Sequence, residues 1–467
     1  MPSFSGIYVA LQSILAQQKA MEITEHNVAN ANTAGFHRQE AIFKAGVPEK
    51  AMGMMQAGGI GDMGTGVLID RIRRYNLEFF DTRFRKETAM TSQYDSATQI
   101  LKTVEINLSD TADDSIGLRM DAFFASWQKV SADPDIPAIR DVLVQDAKAL
   151  AGSFNARYSG LVDIRTDQNL AIEQRVNEIN TAATQIAQLN EEIGRSLATG
   201  NQPNDLLDER DRQITRLSEI AGVTSHVQEN GQVITSLNGH ALVVGSRTFT
   251  LNTTTDADGL TQIGWDDGQP ISITTGEIAG ILDVRDRIIP DQMSQLNATA
   301  KGLMDRVNTV HSAGFGLDNS TGLPMFTFLA GTEAQSMTVN AALDDPSKIA
   351  AATALDSPGD GNNALAISKI YDEQLADLNN ISIRQYNGER VTKFALEVRG
   401  AKSSSANHKN VADALNTQRE EVSGVSLDEE AANMVKYQRS YQAAVRLMTT
   451  VDEMLEQMIN NMGVVGR

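Results

Sequence analysis

Apolar residues recur at alternating intervals of four and three positions near both ends of this chain. The pattern runs from Ile7 to Val28 at one end and from Leu427 to Met462 at the other. This spacing places apolar side chains on one face of a helix and is typical of a heptad seam along a partner helix. At about 1.5 Å per residue, the C-terminal helix would be roughly 50 Å long. We therefore predict two terminal helices that pair with each other as a coiled coil.

The predicted assembly surface consists of these seam positions and of the turn after the first helix. Gln438 and Asp452 interrupt the C-terminal seam. A polar residue in a seam can fix helix register, although a position at the rim would give the same pattern. Asn30, Asn32 and Gly35 favour turns and predict the end of the first helix. The predicted interface residues are Ile7, Leu11, Ile14, Met21, Val28, Asn30, Asn32, Gly35, Leu427, Met434, Gln438, Tyr441, Val445, Met448, Leu455, Ile459 and Met462.

Helical periodicity also fills much of the interior, and sustained seams of this kind predict a bundle of long helices. A Ser426-to-Glu429 capping box marks the start of the last helix. The other predicted helices cover about 77–197, with breaks near 110–115 and 133–134, then 204–221, 289–310, 364–378 and 391–421.

Residues 223–275 show a different pattern, in which short alternating runs are separated by turns. Asn230-Gly231 and Asn238-Gly239 stand between such runs, and Asx-Gly pairs are a strong hairpin signal. The fold class is therefore mainly α with a small β insert: a discontinuous long-helix bundle, paired terminal helices and one outer β domain. The predicted domains are 1–45 with 426–467 (terminal coiled coil), 46–222 with 276–425 (helical bundle) and 223–275 (inserted β domain). Short strands are also expected at 67–72 and near 336–339, whereas 44–66 and most of 315–363 are expected to be irregular.

Composition excludes several classes of function. The formal net charge of −20 opposes binding to nucleic acid or to an anionic membrane. The chain has no cysteine, so disulfides, thiolate metal sites and cysteine nucleophiles are excluded. No apolar run is long enough to span a membrane, and the N-terminal segment lacks the features of a cleaved secretory signal. Composition alone would indicate a cytoplasmic protein.

No catalytic constellation is evident. The six histidines are scattered without metal-ligand spacing. The glycine-rich segment 58–66 lacks the lysine that ends a phosphate-binding loop, and the segment from Asp256 lacks the acidic residue that completes a calcium loop. Pairs such as Asp208 and Glu209 are common in an acidic chain. We predict no catalytic residues, no cofactor and no metal.

Two terminal motifs nevertheless carry a resemblance. The segment NVANANTAGFHRQ at 27–39 resembles the N-terminal signature of the bacterial flagellar axial proteins, the family of rod, hook and hook-associated proteins. The segments MVKYQRSYQAA at 434–444 and TTVDEML at 449–455 are similar to the C-terminal signature of that family. Within the family, PNDLLDERD at 203–211, GEIAGIL at 276–282 and VNTVHSAG at 307–314 resemble segments of the proteins that join hook to filament.

The resemblance implies a structural subunit and not an enzyme. It implies export through the flagellar type III apparatus and a location at the hook–filament junction. The implied partners are further copies of the chain in a ring, the hook protein, the second junction protein and an export chaperone at the C-terminal region. Another axial protein (hook, distal rod or second junction protein) is the alternative within the family. A secreted wall hydrolase with axial-type ends is the alternative from another class.

Overall fold

The computed structural model describes residues 5–48, 64–109 and 115–462, and it confirms a mainly α fold with small antiparallel sheets. Part of the predicted irregular segment 44–66 lies outside the described residues. The helices are α1 (Ser5–Ala29), α2 (Glu78–Leu108), α3 (Ile116–Ala132), α4 (Pro137–Ala198), α5 (Asn204–Ala221), α6 (Glu277–Asp283), α7 (Ile289–Ala313), α8 (Glu333–Ser336), α9 (Asn362–Ser368), α10 (Ile383–Ser423) and α11 (Leu427–Met462). The strands are β1 (Gln39–Ala45), β2 (Val67–Arg74), β3 (Thr224–Val227), β4 (Val233–Leu237), β5 (His240–Val244), β6 (Arg247–Thr248), β7 (Leu251–Thr255), β8 (Thr261–Trp265), β9 (Phe326–Thr327) and β10 (Thr338–Val339).

Two predictions about local structure were wrong. The helix predicted over 364–378 ends at Ser368 and is followed by 3-10 turns, and Asn379 and Asn380 then take left-handed conformations. Helix α10 begins at Ile383 instead of 391, because Ser382 and Gln385 form a capping box that stabilises an earlier start. Strand β1 was also missed, and it forms an antiparallel hairpin with β2.

The 62-residue helix α4 connects two hydrophobic cores. Its first half packs with α2, α3, α7 and α9 around Trp127 and Phe154, both of which are fully buried. Its second half packs with α5 and with the β insert, where strands β3-β4-β5-β6 form one sheet and β7-β8 another. We call the assembly of α2–α10 and its intervening strands the helical body.

The segment 276–282 contains two glycines at positions where a neighbouring backbone lies too close for a side chain. Gly276 precedes α6 at a φ of +86°, and a Cβ built there would lie 2.6 Å from the backbone of Ile220. Gly280 lies directly against α2, because a Cβ there would lie 2.1 Å from the backbone oxygen of Gln93. Neither position leaves room for a side chain.

We expect Gly280→Ala to lower the free energy of unfolding by about 1–3 kcal/mol, because the added methyl group forces α6 away from α2. Urea unfolding of the purified chain measures the change. Gly388→Ala in α10 is the matched control, since a Cβ at Gly388 would meet nothing within 4 Å. In that exposed helix, alanine should instead stabilise by roughly 0.5–1 kcal/mol. Equal effects of the two substitutions would contradict the close approach of α6 and α2.

His311 is fully buried in α7 and is held in its neutral form. Its Nδ1 lies 2.7 Å from the backbone oxygen of Leu323, and its Nε2 accepts a 3.1 Å hydrogen bond from the backbone N–H of Ala350. A proton on Nε2 would break the second bond. Burial lowers the pKa of His311 to about 4, although the Leu323 oxygen opposes that shift.

We expect His311 to make the helical body acid-sensitive. The pKa of His311 in the folded protein is below its ordinary value. The contribution of His311 to the free energy of unfolding is therefore complete above about pH 6.5, and it declines below that pH as the unfolded chain takes up the proton. The loss should reach roughly 3 kcal/mol by about pH 4. Urea unfolding across this range should show a flatter pH profile for His311→Gln than for wild type. His226→Gln, at an exposed position, should retain the wild-type slope.

Candidate assembly surface and the polar joint behind it

Helices α1 and α11 pack against each other in antiparallel orientation. A Cβ on Gly6 would lie 3.5 Å from Cγ2 of Val451, so the start of α1 contacts the later part of α11. At the other end of the pair, Asn27 Nδ2 lies 3.1 Å from Glu430 Oε2. The two ends of the sequence are thus paired, as the matching terminal seams predict.

The register of the seam differs from the predicted one by one position at half of the α11 sites. Tyr441, Met448 and Leu455 are partly buried, as expected. The intervening buried sites are Tyr437 and Ala444, each one residue before the predicted Gln438 and Val445. Gln438 and Asp452 are exposed, so they do not interrupt the face that packs on α1.

On α1, small residues occupy the sites that the prediction assigned to large ones. Ala10 and Ala20 are buried, each one residue before the predicted Leu11 and Met21. Small side chains allow two helices to approach closely, which favours this register over one that buries the bulkier residues. The larger neighbours flank the seam or face outward.

The predicted interface residues divide accordingly. Their role in assembly stays a prediction, because the single chain shows only its internal contacts. Ile7, Ile14, Met21, Asn30, Gly35, Met434, Tyr441, Val445, Met448 and Leu455 are partly buried, Leu11, Val28, Asn32, Leu427, Gln438 and Ile459 are exposed, and the side chain of Met462 lies outside the described residues.

Several large apolar side chains of the pair remain exposed. Tyr8, Leu11 and Leu15 form a stripe on α1, and their side chains are 52%, 39% and 52% exposed. On α11, Leu447 and Ile459 are 48% and 74% exposed. Apolar stripes of this kind mark surfaces that bind another protein.

Behind the pair lies a cluster of buried polar residues that we call the polar joint. Its first half connects α1, β1 and α11. The side chain of Asn27 binds both backbone groups of Gln39, at 2.8 and 3.0 Å. Glu430, only 2% exposed, accepts hydrogen bonds from Asn27 and from Arg38 Nε at 2.8 Å. The backbone N–H of Arg38 also donates to the Ser423 oxygen at the end of α10, at 2.8 Å. The loop after α1 is thus bonded to both helices of the C-terminal segment.

The second half of the polar joint connects the same loop to α5. Asp208, only 1% exposed, accepts the backbone N–H of His37 at 3.1 Å and lies 2.7 Å from His37 Nδ1. Arg74, from the end of β2, donates to Asp208 at 2.7 Å and to Asp211 at 2.6 Å. Arg85 of α2 reaches Asp211 at 3.1 Å. A chain of charged bonds therefore connects β2, α2 and α5 behind the terminal helices.

Two residues of the polar joint, Arg74 and Asp211, have pKa values that favour their charged forms. Burial opposes the charge on Arg74, but Asp211 and Asp208 outweigh it and raise the pKa of Arg74 above its ordinary value. Burial alone would raise the pKa of Asp211, but Arg74 and Arg85 hold it below its ordinary range. The ion pair between Arg74 and Asp211 is thus a charged connection at neutral pH.

Sequence reasoning identified the two motifs of the joint without bringing them together. The segments 27–39 and 203–211 were each recognised, and the structure places them in direct contact through His37 and Asp208. The available signal was the spacing of Asp205, Asp208 and Asp211, which puts three carboxylates on one side of a helix. Among the described residues, no group of three metal-ligating side chains occurs, and no described helix could cross a membrane.

Comparison with known proteins agrees with these features. The family model of the flagellar hook-associated protein FlgK helical domain matches residues 101–326. The model of the flagellar basal body rod FlgEFG protein C-terminal region matches 417–462, which contains α11.

Relatives over the full length are similar as well. Flagellar hook-associated protein 1 of Bacillus subtilis (strain 168) is 26% identical over 100% of this chain and 99% of its own length. The protein of that name from Escherichia coli (strain K12) is 26% identical over 97% of this chain and 98% of its own length. The flagellar hook junction protein FlgK from Burkholderia pseudomallei shares the fold, with a TM-score of 0.64 at 17% identity over 73% of this chain and 100% of that one.

The chain is therefore similar to flagellar proteins both in its helical domain and in its C-terminal helix. Over nearly its full length, it is similar to proteins named flagellar hook-associated protein 1.

Proposed function

We propose that this protein is a structural subunit of the junction between the flagellar hook and the filament. The observation that carries the proposal is the antiparallel α1–α11 pair, which leaves apolar stripes exposed and is bonded to the helical body through the polar joint. A subunit of a tubular assembly needs a surface that binds its neighbours and a rigid connection from that surface to its outer parts. The terminal pair and the polar joint meet these two needs.

In this proposal, the chain has three functional parts. Residues 1–45 with 426–467 form the inner, assembling part. Residues 46–222 with 276–425 form the bundle around it, and 223–275 form an outer β domain. Copies of the chain bind each other in a ring, with the hook protein on one side and the second junction protein on the other. The function is structural and involves no reaction, cofactor, nucleic acid or membrane.

The proposal includes a route to the site of assembly. The chain is exported through the flagellar type III apparatus. An export chaperone then has a natural target in α11, whose apolar residues Leu447 and Ile459 are exposed in the single chain. A chaperone on α11 would compete with pairing to α1 and would delay assembly until export is complete.

A deletion strain tests the proposed function. We expect cells that lack this protein to carry hooks without filaments and to release flagellin into the medium, because the filament has no base on which to grow. Electron microscopy of the cells and immunoblots of the medium give the two readouts, and expression of the wild-type chain from a plasmid should restore filaments. Filaments of normal length on the deletion strain would refute the proposal.

A further inference from the structure

Over part of their length, the outward faces of the terminal pair carry side chains of opposite charge: Glu22 and Glu25 on α1, and Lys436, Arg439 and Arg446 on α11. On α11, the seam residues Tyr437 and Ala444 face α1. Arg439 and Arg446 follow them by two positions, about 200° around a helix of roughly 3.6 residues per turn. These two arginines therefore point away from α1, on the far edge of the pair, and both are exposed.

The basic side chains of this edge form no ion pair with any residue that the structure describes. Lys436 is also exposed, and it lies 5.9 Å from the ring of its neighbour Tyr437. Among the residues that the structure describes, no carboxylate forms an ion pair with Lys436, Arg439 or Arg446. We call these three residues the basic edge.

The opposite edge of the pair is acidic at one end and apolar at the other. Glu22 and Glu25 are exposed on α1, and Glu22 follows the seam residue Ala20 by two positions, so it points away from α11. Glu22 forms a 3.0 Å ion pair with Lys19, and both side chains are about half exposed. Exposed pairs of this kind are weak and exchange partners readily. We call Glu22 and Glu25 the acidic edge; the apolar stripe of Tyr8, Leu11 and Leu15 continues it toward the start of α1.

The acidic edge and the basic edge lie at similar positions along the axis of the helix pair. Because α1 and α11 are antiparallel and Asn27 contacts Glu430, Glu22 and Glu25 lie close to the level of 432–435 on α11. Arg439 is then about one helical turn, or roughly 5 Å, from the level of Glu22. That offset is within the reach of an arginine side chain and fits neighbours that are displaced along the axis of the assembly.

We propose that the acidic edge of one copy binds the basic edge of a second copy, in a head-to-tail contact between terminal pairs. The inference rests on the proposed function and specifies which faces of the copies meet. A heterologous contact of this kind repeats from copy to copy and generates a ring or a helix, whereas a contact between identical edges would stop at a dimer. The apolar stripe supplies most of the affinity, and the charges fix the register and the orientation of the contact.

Cross-linking tests the contact directly, because the native chain has no cysteine. The variant Glu22→Cys with Arg439→Cys is expressed as the sole copy, and isolated flagella are treated with a short bismaleimide. The two positions lie on opposite edges of a pair of helices, each about 10 Å across, so the reagent cannot join them within one chain. We expect a ladder of multimers on a denaturing gel, whereas each single-cysteine variant should yield no species larger than a dimer.

Charge reversal provides an independent readout. Glu22→Lys with Glu25→Lys should reduce the number of filaments per cell, and Arg439→Glu with Arg446→Glu should do the same. All four changes together should restore filaments, because the opposite charges meet again. Glu192→Lys with Lys102→Glu, which changes charge at exposed positions of the helical body, serves as a control for non-specific effects.

The outcomes separate the interface from the function. A ladder with restored filaments in the fourfold variant supports the contact. Cells that bear filaments but give no ladder, or a fourfold variant that is no better than its parents, overturn it and leave the junction role intact. Filaments on the deletion strain refute the junction role itself. A ladder that includes another flagellar protein in place of a second copy also overturns the proposal.

Discussion

Replacing Asp208 with alanine is expected to lower the free energy of unfolding by about 3–5 kcal/mol, since removal of one partner from a buried charge cluster leaves the others uncompensated. Asp208 is only 1% exposed and accepts bonds from His37 and from Arg74. Without Asp208, the buried guanidinium of Arg74 has only Asp211 as an ionic partner. His37 loses both of its contacts to α5. Urea unfolding at neutral pH, followed by circular dichroism, measures the loss.

Asp205→Ala is the matched control for this prediction. Asp205 lies on the same helix, accepts a 2.9 Å hydrogen bond from Gln39 at the start of β1, and has a side chain that is 68% exposed. Its removal should cost at most about 1 kcal/mol, because water replaces the lost partner. If Asp208→Ala and Asp205→Ala cost the same, the joint would be an ordinary surface ion network and would not hold the terminal pair in place.

The polar joint also shows where prediction from sequence stops. Periodicity identified the long helices because each helix repeats its apolar spacing over many turns, and hairpin turns such as Asn238-Gly239 marked the β insert for an equally local reason. The contact between His37 and Asp208 joins residues 171 positions apart, and no local pattern encodes it. Only the arrangement of β1, β2 and α5 in space brings these residues together.

The register of the terminal seam could not be predicted for a different reason. Rules of periodicity favour the largest apolar residues, so they placed the seam on Leu11 and Met21. The pair instead buries Ala10 and Ala20, since close approach of the two backbones allows more contact than bulky side chains would permit. The period of a seam can therefore be predicted from one sequence, while its phase depends on the partner helix.

The observed phase of the seam predicts a second large effect, on filament formation. Ala444→Asp should abolish filament formation, because it places a carboxylate at a site that is 6% exposed against α1. A buried carboxylate without a partner costs several kcal/mol, and a helix pair that buries few large side chains does not compensate for that cost. Ala443→Asp introduces the same charge one residue earlier, at an exposed position, and should leave the pair intact.

Pairing is measured separately from assembly with Gly6→Cys and Val451→Cys, whose side chains would lie within contact distance in the paired state. Together, these two cysteines should form an intramolecular disulfide in the otherwise wild-type chain and in the Ala443→Asp variant, and should not do so in Ala444→Asp. Met448→Asp, at a partly buried seam site shared by the predicted and observed registers, should behave like Ala444→Asp. A disulfide that forms equally in all variants would show that the α1–α11 pair tolerates charge in its seam, and the observed register would then not be the one that stabilises it.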